Sequence, residues 1–192
     1  MLGKPLTAPD WGVSMNRSGL TTRIIPAHIL TASYRILGEV KVTNTGLQGL
    51  LTDNTSSYII VTEASLARVR NPNSLIKEME AVRVLKDHIH SAGLKRRQDV
   101  GPKGLKRAGY ERFHRFDVQI TNAVYEYNGI LEWFGPFDFS SLISGGNWDF
   151  LPLYETSVRS IEHPDLYVTA PAMLLNRRHI ATFQHELRKD VE

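Results

Sequence analysis

The stretch Tyr58–Ile89, YIIVTEASLARVRNPNSLIKEMEAVRVLKDHI, can be aligned with a second stretch of the same chain, Phe150–Ile180, FLPLYETSVRSIEHPDLYVTAPAMLLNRRHI. The offset is 92 residues before Ser74 and 91 residues after it, so one deletion in a loop aligns both. Identical or similar residues stand at Ser65-Leu66 and Ser157-Val158, Pro72 and Pro164, Leu75 and Leu166, Ala81 and Ala172, and His88-Ile89 and His179-Ile180. Self-similarity at a fixed spacing indicates an internal repeat of one structural unit.

Apolar positions and turn signals support the same alignment. Apolar residues match at Ile59 and Leu151, Val61 and Leu153, Val69 and Ile161, Val82 and Met173, and Val84 and Leu175. The turn sequence Asn71-Pro72-Asn73 matches His163-Pro164-Asp165. The pattern predicts two related β-rich modules, and two unrelated halves that are both β-rich remain the alternative.

Period-two patterning predicts strands in both modules. β-branched and aromatic residues alternate with polar ones around Tyr34 and Val42, and Gly38 between them suits a bulge. Leu75–Leu85 fits either a strand or a helix, because Glu78–Ala81 are helix formers. Its counterpart contains Pro171, which a helix interior does not tolerate, so we predict a strand. Phe137–Ile143 is also predicted as a strand, and Gly46–Gly49 as a turn.

Several short motifs resemble a known small barrel. The strand at Gly38-Glu39, the segment Leu51-Thr52-Asp53, the run Ile59–Ala64 and the late Val82-Arg83-Val84 resemble the Sm-like barrel. The Tyr34–Glu39 strand and the ending Lys86–Ile89, which recurs at Arg177–Ile180, resemble an uncharacterised bacterial family of short β-domains. The resemblance implies an all-β fold of two tandem small β-barrel modules. The uridine-binding role of the Sm family does not transfer, because Ser57 replaces its asparagine and Val84 replaces the glycine after Arg83.

These patterns divide the chain into five segments. We expect an irregular N-terminal arm over residues 1–22, a first β-module over 23–91 and a basic connector over 92–112. A second β-module follows over 113–182, and a short C-terminal helix over 183–192. The helix is predicted because Ile180, Phe183 and Leu187 fall on one helical face.

Composition excludes several classes of protein. With 42% hydrophobic and 22% charged residues the chain is globular, and no apolar run is long enough to span a membrane. The absence of cysteine excludes disulfides, iron–sulfur clusters and thiol nucleophiles. We expect a cytoplasmic protein. Because no catalytic motif is present, we also expect it to be non-enzymatic and without cofactors. His88 and His90 suit a metal only with a third ligand. A structural role for His88 and His179, hydrogen-bonded at the barrel rim, is the preferred interpretation.

The net charge of +3 is unevenly distributed. Between Gly93 and Arg115 lie eight cationic and two acidic residues. Such a segment attracts phosphates, so we predict that nucleic acid (RNA or DNA) is bound by Lys95, Arg96, Arg97, Lys103, Lys106, Arg107, Arg112 and Arg115. A solvated, mobile linker is the alternative.

Aromatic residues are concentrated in the second module, and two interpretations stay open. They form its core, or they leave an exposed patch that binds a partner through Trp133, Phe137 and Trp148. The leading functional hypothesis is a scaffold or regulatory module that self-associates into a homo-oligomer or binds a protein partner. Nucleic-acid binding through the connector is the runner-up.

Overall fold

The computed structural model describes residues 21–102, 113–145 and 149–188. Several predicted features lie outside these residues. They are most of the N-terminal arm, the end of the predicted C-terminal helix, and the candidate site residues Lys103, Lys106, Arg107, Arg112 and Trp148.

The N-terminal half contains five strands and one short α-helix. In chain order they are β1 (Arg23–Leu30), β2 (Tyr34–Val42), α1 (Gly46–Thr52), β3 (Tyr58–Arg68), β4 (Asn71–Leu85) and β5 (Ser91–Leu94). A 3-10 turn at Lys86–His88 precedes β5, and another at Arg97–Val100 follows it. Leu75–Leu85 therefore belongs to a strand, as predicted from the proline in its counterpart.

The C-terminal half has the same order of elements. They are β6 (Phe113–Thr121), β7 (Tyr125–Phe134), α2 (Phe139–Ser144), β8 (Phe150–Ser160), β9 (Tyr167–Asn176) and β10 (Thr182–Leu187). A 3-10 turn at Arg177–His179 precedes β10, in the position that Lys86–His88 occupies before β5.

All the strands form one antiparallel sheet, which confirms the all-β prediction. The strand order is β10-β6-β7-β8-β9-β5-β1-β2-β3-β4. Within the described part of the chain, the end strands β10 and β4 do not pair with each other, so the sheet is open. The halves thus meet side by side in one sheet.

Strand register in one half recurs in the other. Ala27 pairs with Leu94, and Val118 pairs with His185, each 91 residues later. The bulge predicted at Gly38 is present, because the β2–β3 register shifts between Leu37 and Glu39. A matching shift falls between Asn128 and Ile130, around Gly129.

Two hydrophobic clusters fill the interior, and each draws residues from both halves. The first is built mainly from β1–β5 and α1 but includes Phe150, Tyr154, Ala172 and Leu174 of the C-terminal half. The second is built mainly from β6–β9 and α2 but includes Leu30 and Val69 of the N-terminal half. The two halves are therefore packed together as well as paired.

Two of the predicted segments are wrong. The predicted loop of the connector begins instead with β5, whose small residues Ser91, Ala92 and Gly93 are buried between two strands. The predicted C-terminal helix is the strand β10 from Thr182 to Leu187, since pairing with β6 satisfies its backbone groups.

Two shorter predictions are also wrong. The strand predicted at Phe137–Ile143 contains α2 from Phe139 to Ser144, whose N-cap Asp138 accepts a hydrogen bond from the Ser140 N–H. The turn predicted at Gly46–Gly49 is part of α1, which buries Leu47 and Leu51 at i and i+4.

Candidate functional site

The contact between the two halves, which we call the seam, is a pair of strands. β5 pairs with β1 of its own half along one edge and with β9 of the other half along its second edge. Across the seam Ser91 lies opposite Leu175, and Leu94 lies opposite Ala172. Both edges of β5 are therefore used.

Apolar packing covers one face of the strands on the far side of the seam. Phe150 and Tyr154 of β8, with Ala172 and Leu174 of β9, belong to the hydrophobic cluster of the N-terminal half. All four side chains are at most 5% exposed. The amide of Gln48 on α1 also donates to the Phe150 carbonyl oxygen at 3.4 Å. The seam thus combines backbone pairing with a buried apolar face.

Polar contacts close one end of the seam. The Asn176 side-chain amide donates to the Ile89 carbonyl oxygen at 3.0 Å, and its backbone N–H donates to the His90 carbonyl oxygen at 2.9 Å. The His179 Nε2 donates to the Asp87 carbonyl oxygen at 2.9 Å. These bonds satisfy backbone groups where β4 leads into β5.

His90 is a buried histidine at this end of the seam. Its ring stacks on His179 with 4.2 Å between ring centroids, and its Nδ1 lies 3.1 Å from the Asn122 amide nitrogen. The Asn122 oxygen accepts from the N–H groups of Val124 and Tyr125, which orients its amide so that Nδ2 donates to His90. Burial, and then the neighbouring His179, lower the pKa of His90 to about 4. His90 is a neutral structural residue.

The two end strands of the sheet are the counterparts of the two strands that pair at the seam. β10 corresponds to β5, and β4 corresponds to β9. In the described chain β10 pairs with β6 alone and β4 pairs with β3 alone. Large exposed apolar side chains border these strands: Tyr58, Ile60, Leu75, Ile76 and Leu85 on β3 and β4, and Phe139 and Leu187 on α2 and β10. Unpaired edges with exposed apolar residues are sites where another chain adds to a sheet.

Two of the three predicted partner-binding aromatic residues belong to the described part of the chain, and both pack against other side chains. Trp133 is 4% exposed, and its indole N–H donates to the Pro136 carbonyl oxygen at 3.0 Å. Phe137 is half-buried in a cluster with Phe183 and His185 of β10, where its ring lies 4.2 Å from that of His185.

Arg96 and Arg97 of the connector engage carboxylates of the same chain. Arg96 lies 3.0 Å from Asp99, which also binds Arg23. Arg97 pairs with Glu132, and its guanidinium lies 3.8 Å from the centroid of the Tyr154 ring. These contacts fix residues 96–99 against both halves.

Two predicted nucleic-acid contacts remain near this network. Arg115 on β6 lies 3.6 Å from the same Glu132 carboxylate, and Lys95 is exposed. Of the eight cationic residues behind the nucleic-acid hypothesis, Arg96, Arg97 and Arg115 therefore lie beside buried Asp99 or Glu132. Charge counting within the connector includes Asp99 but misses Glu132, which lies 35 residues from Arg97 in sequence.

Other chemistry finds little support in the described chain. Among residues 21–102, 113–145 and 149–188, no group of three or more His, Asp or Glu is arranged to hold a metal. No helix within those ranges is both long and apolar enough to cross a membrane. Phe183 and His185 on β10 are candidate functional residues that the sequence did not identify, because the spacing of Ile180, Phe183 and Leu187 predicted a helix there.

Comparison with protein-family models, curated proteins and solved structures found no match to this chain.

Proposed function

We propose that this chain is a non-enzymatic assembly module whose copies self-associate through the free edges of the sheet. One observation carries the proposal. Inside the chain β5 pairs with β9, while their counterparts β10 and β4 each have an edge that no strand of the described residues pairs with. Since β4 and β10 stand at opposite ends of the sheet, the edges of different copies can join head to tail.

We also propose that the two halves are tandem copies of one small β-module of the Sm-like pattern. The shared order of elements and the recurring register support this interpretation. Under it the seam is a module–module contact that the chain makes internally. A contact of the same kind between chains would need no new binding chemistry, only the same backbone pairing and apolar packing.

Light scattering after size exclusion, with absorbance at 260 and 280 nm, tests the proposal. We expect particles larger than the 21.7 kDa monomer, stable in high salt because backbone pairing and apolar burial hold them. A monomer at all concentrations would contradict the proposal.

Proline substitutions on β10 show whether its edge is responsible. Proline removes a backbone donor, and consecutive N–H groups point alternately to the two sides of a strand. Gln184→Pro and His185→Pro therefore form a matched pair, one of which faces the free edge and spares the β6 pairing. The edge-facing variant should stay folded by circular dichroism and lose association.

Nucleic-acid binding remains the alternative, and the same chromatogram decides it. An excess of 260 nm absorbance that high salt removes would favour it. A deletion of the connector is unsuitable, because Asp99 and Val100 are buried. Replacing Lys95, Lys103, Lys106 and Arg107 with glutamine removes charge and keeps these anchors. We expect that variant to assemble as the parent does.

A further inference from the structure

The outer face of β3 and β4 corresponds to the face of β8 and β9 that the seam covers. The offset of 92 residues places Tyr58 at the position of Phe150 and Thr62 at that of Tyr154. Phe150 and Tyr154 are covered by the N-terminal half, whereas Tyr58 is 37% exposed. Ile60 and Leu85, on the same face as Tyr58, are 46% and 49% exposed.

The covering surface of the seam also has a counterpart. At the seam the cover is built from α1, β5 and the turn that follows β5. In the C-terminal half α2 and β10 occupy those places, and they present Phe139, 47% exposed, and the half-buried Phe183. The Phe139 and Phe183 rings lie 5.3 Å apart. An aromatic cover therefore stands beside one free edge, and an exposed apolar face stands beside the other.

Two cavities, one beside β5 and one beside β10, correspond to each other in the same way as the two covering surfaces. A cavity of about 480 Å³ lies along the seam, lined by β1, β2 and β5, by Glu63, and on its far side by Val168–Pro171 of β9. Its counterpart of about 380 Å³ is lined by β6, β7 and β10 and by Glu155, with no wall from a strand beyond β10. The position of the missing wall is where a second copy of β4 would lie.

We infer that a second copy of this chain docks its β4 edge onto β10 in the register of the seam, so that its Tyr58, Ile60 and Leu85 face is covered by Phe139 and Phe183. This inference rests on the proposed function and specifies its interface. At the seam Ala92 lies opposite Leu174 and Leu94 opposite Ala172. The 91-residue offset converts these pairs into Phe183 opposite Arg83 and His185 opposite Ala81 of the second copy.

Disulfide trapping tests this register sharply, because the chain contains no cysteine. Ala81→Cys with His185→Cys should form disulfides between chains under mild oxidation, visible as a ladder on a non-reducing gel. Val82→Cys with Gln184→Cys is the adjacent pair, the counterpart of Gly93 and Met173 at the seam. Consecutive antiparallel pairs alternate between closer and wider spacing, so at least one of the two pairs suits a disulfide.

The seam supplies a matched internal control. Leu94→Cys with Ala172→Cys, and Gly93→Cys with Met173→Cys, are the same pairs within one chain and should close within the chain. Leu85→Cys with His185→Cys is the out-of-register control, because a shift of four residues separates the positions by about 13 Å along the strand. It should give far less product than the in-register pair.

The outcomes separate this inference from the proposed function. An oligomer that cross-links only out of register, or through Ala81→Cys or His185→Cys alone, would overturn the inferred interface and leave self-association standing. A monomer by light scattering would overturn both. Tyr58→Asp with Ile60→Asp should weaken association at least tenfold. Glu126→Lys, at an exposed position of β7, should leave association unchanged.

Discussion

Glu63 lies beside Gly38 at the bulge between β2 and β3, and Glu63 has a positive φ of 47°. Glu155 and Gly129 repeat this arrangement between β7 and β8, where Glu155 has a φ of 48°. In the described chain these two glutamates are the non-glycine residues with positive φ. The bulges let each strand pair bend at the same point, and the paired glycine makes room for the neighbouring backbone.

Gly38→Ala should destabilise the protein more than Gly129→Ala. A Cβ at Gly38 would lie 2.6 Å from both the Thr62 carbonyl oxygen and Val61 Cγ1, and the backbone oxygen cannot move aside cheaply. At Gly129 the nearest atom is the Thr156 hydroxyl at 3.0 Å. We expect losses of about 3 and about 1 kcal/mol. Urea unfolding measures both, and a larger loss at Gly129 would contradict this reasoning.

Glu63→Val should cost more stability than Glu63→Gly. A β-branched side chain is strongly disfavoured at positive φ, whereas glycine adopts it readily. We expect Glu63→Val to lose about 2 kcal/mol and Glu63→Gly to lose less than about 0.5 kcal/mol. Glu126→Val is the control, because it makes the same change at an exposed strand position with ordinary φ. Equal thermal stability of Glu63→Val and the control would argue against strain.

Strand positions were predictable where side chains alternate, and strand partners were not. Tyr58–Val61 carries a clear β pattern, and Gly38 marks a bulge. Leu75–Leu85 is ambiguous by itself, and Pro171 in its counterpart identifies it as a strand. β5 has no such pattern, because Ser91, Ala92 and Gly93 are small residues whose strand is determined by neighbours on both sides. Phe183 and Leu187 fit a period of either two or 3.6, so pairing with β6 decides between strand and helix.

The candidate site was less predictable than the fold, since it depends on which edges remain free. Composition draws attention to Trp133, yet the fold buries it on a part of β7 where the neighbouring Glu132 and Phe134 are buried as well. Net charge draws attention to Arg97, yet the fold pairs it with Glu132, which lies 35 residues away in sequence. Neither fact can be read from local sequence, because both follow from long-range contacts.

Asp99→Asn should destabilise the folded protein, because Asp99 holds residues 96–99 of the connector against the N-terminal half. Asp99 is fully buried and binds Arg23 and Arg96, so the isosteric amide removes the counter-charge of two arginines that are only partly exposed. We expect a loss of about 2 kcal/mol in urea unfolding, and faster proteolysis near residue 100. Glu126→Gln, at an exposed site, should change stability by less than about 0.5 kcal/mol. If both variants match the parent, the ion pairs contribute no net stability.

Stability should fall as the pH drops from about 6.5 to 4, because two histidines are held neutral in the folded protein. Burial, followed by the nearby Arg35, lowers the pKa of His28 to about 4, and His90 has a similar pKa for the reasons given above. The unfolded chain takes up these protons near pH 6.5, so their contribution is complete above that pH and is lost as the pH falls towards 4. Each histidine should add up to about 1.4 kcal/mol per pH unit to the slope within this window.

His28→Gln introduces the residue that stands at the counterpart position Gln119, so it removes the titrating group with little change in shape. We expect thermal denaturation of His28→Gln to show a shallower decline with acid, and that of His28→Gln with His90→Gln a shallower one still. A slope unchanged in both variants would show that other groups control the acid response.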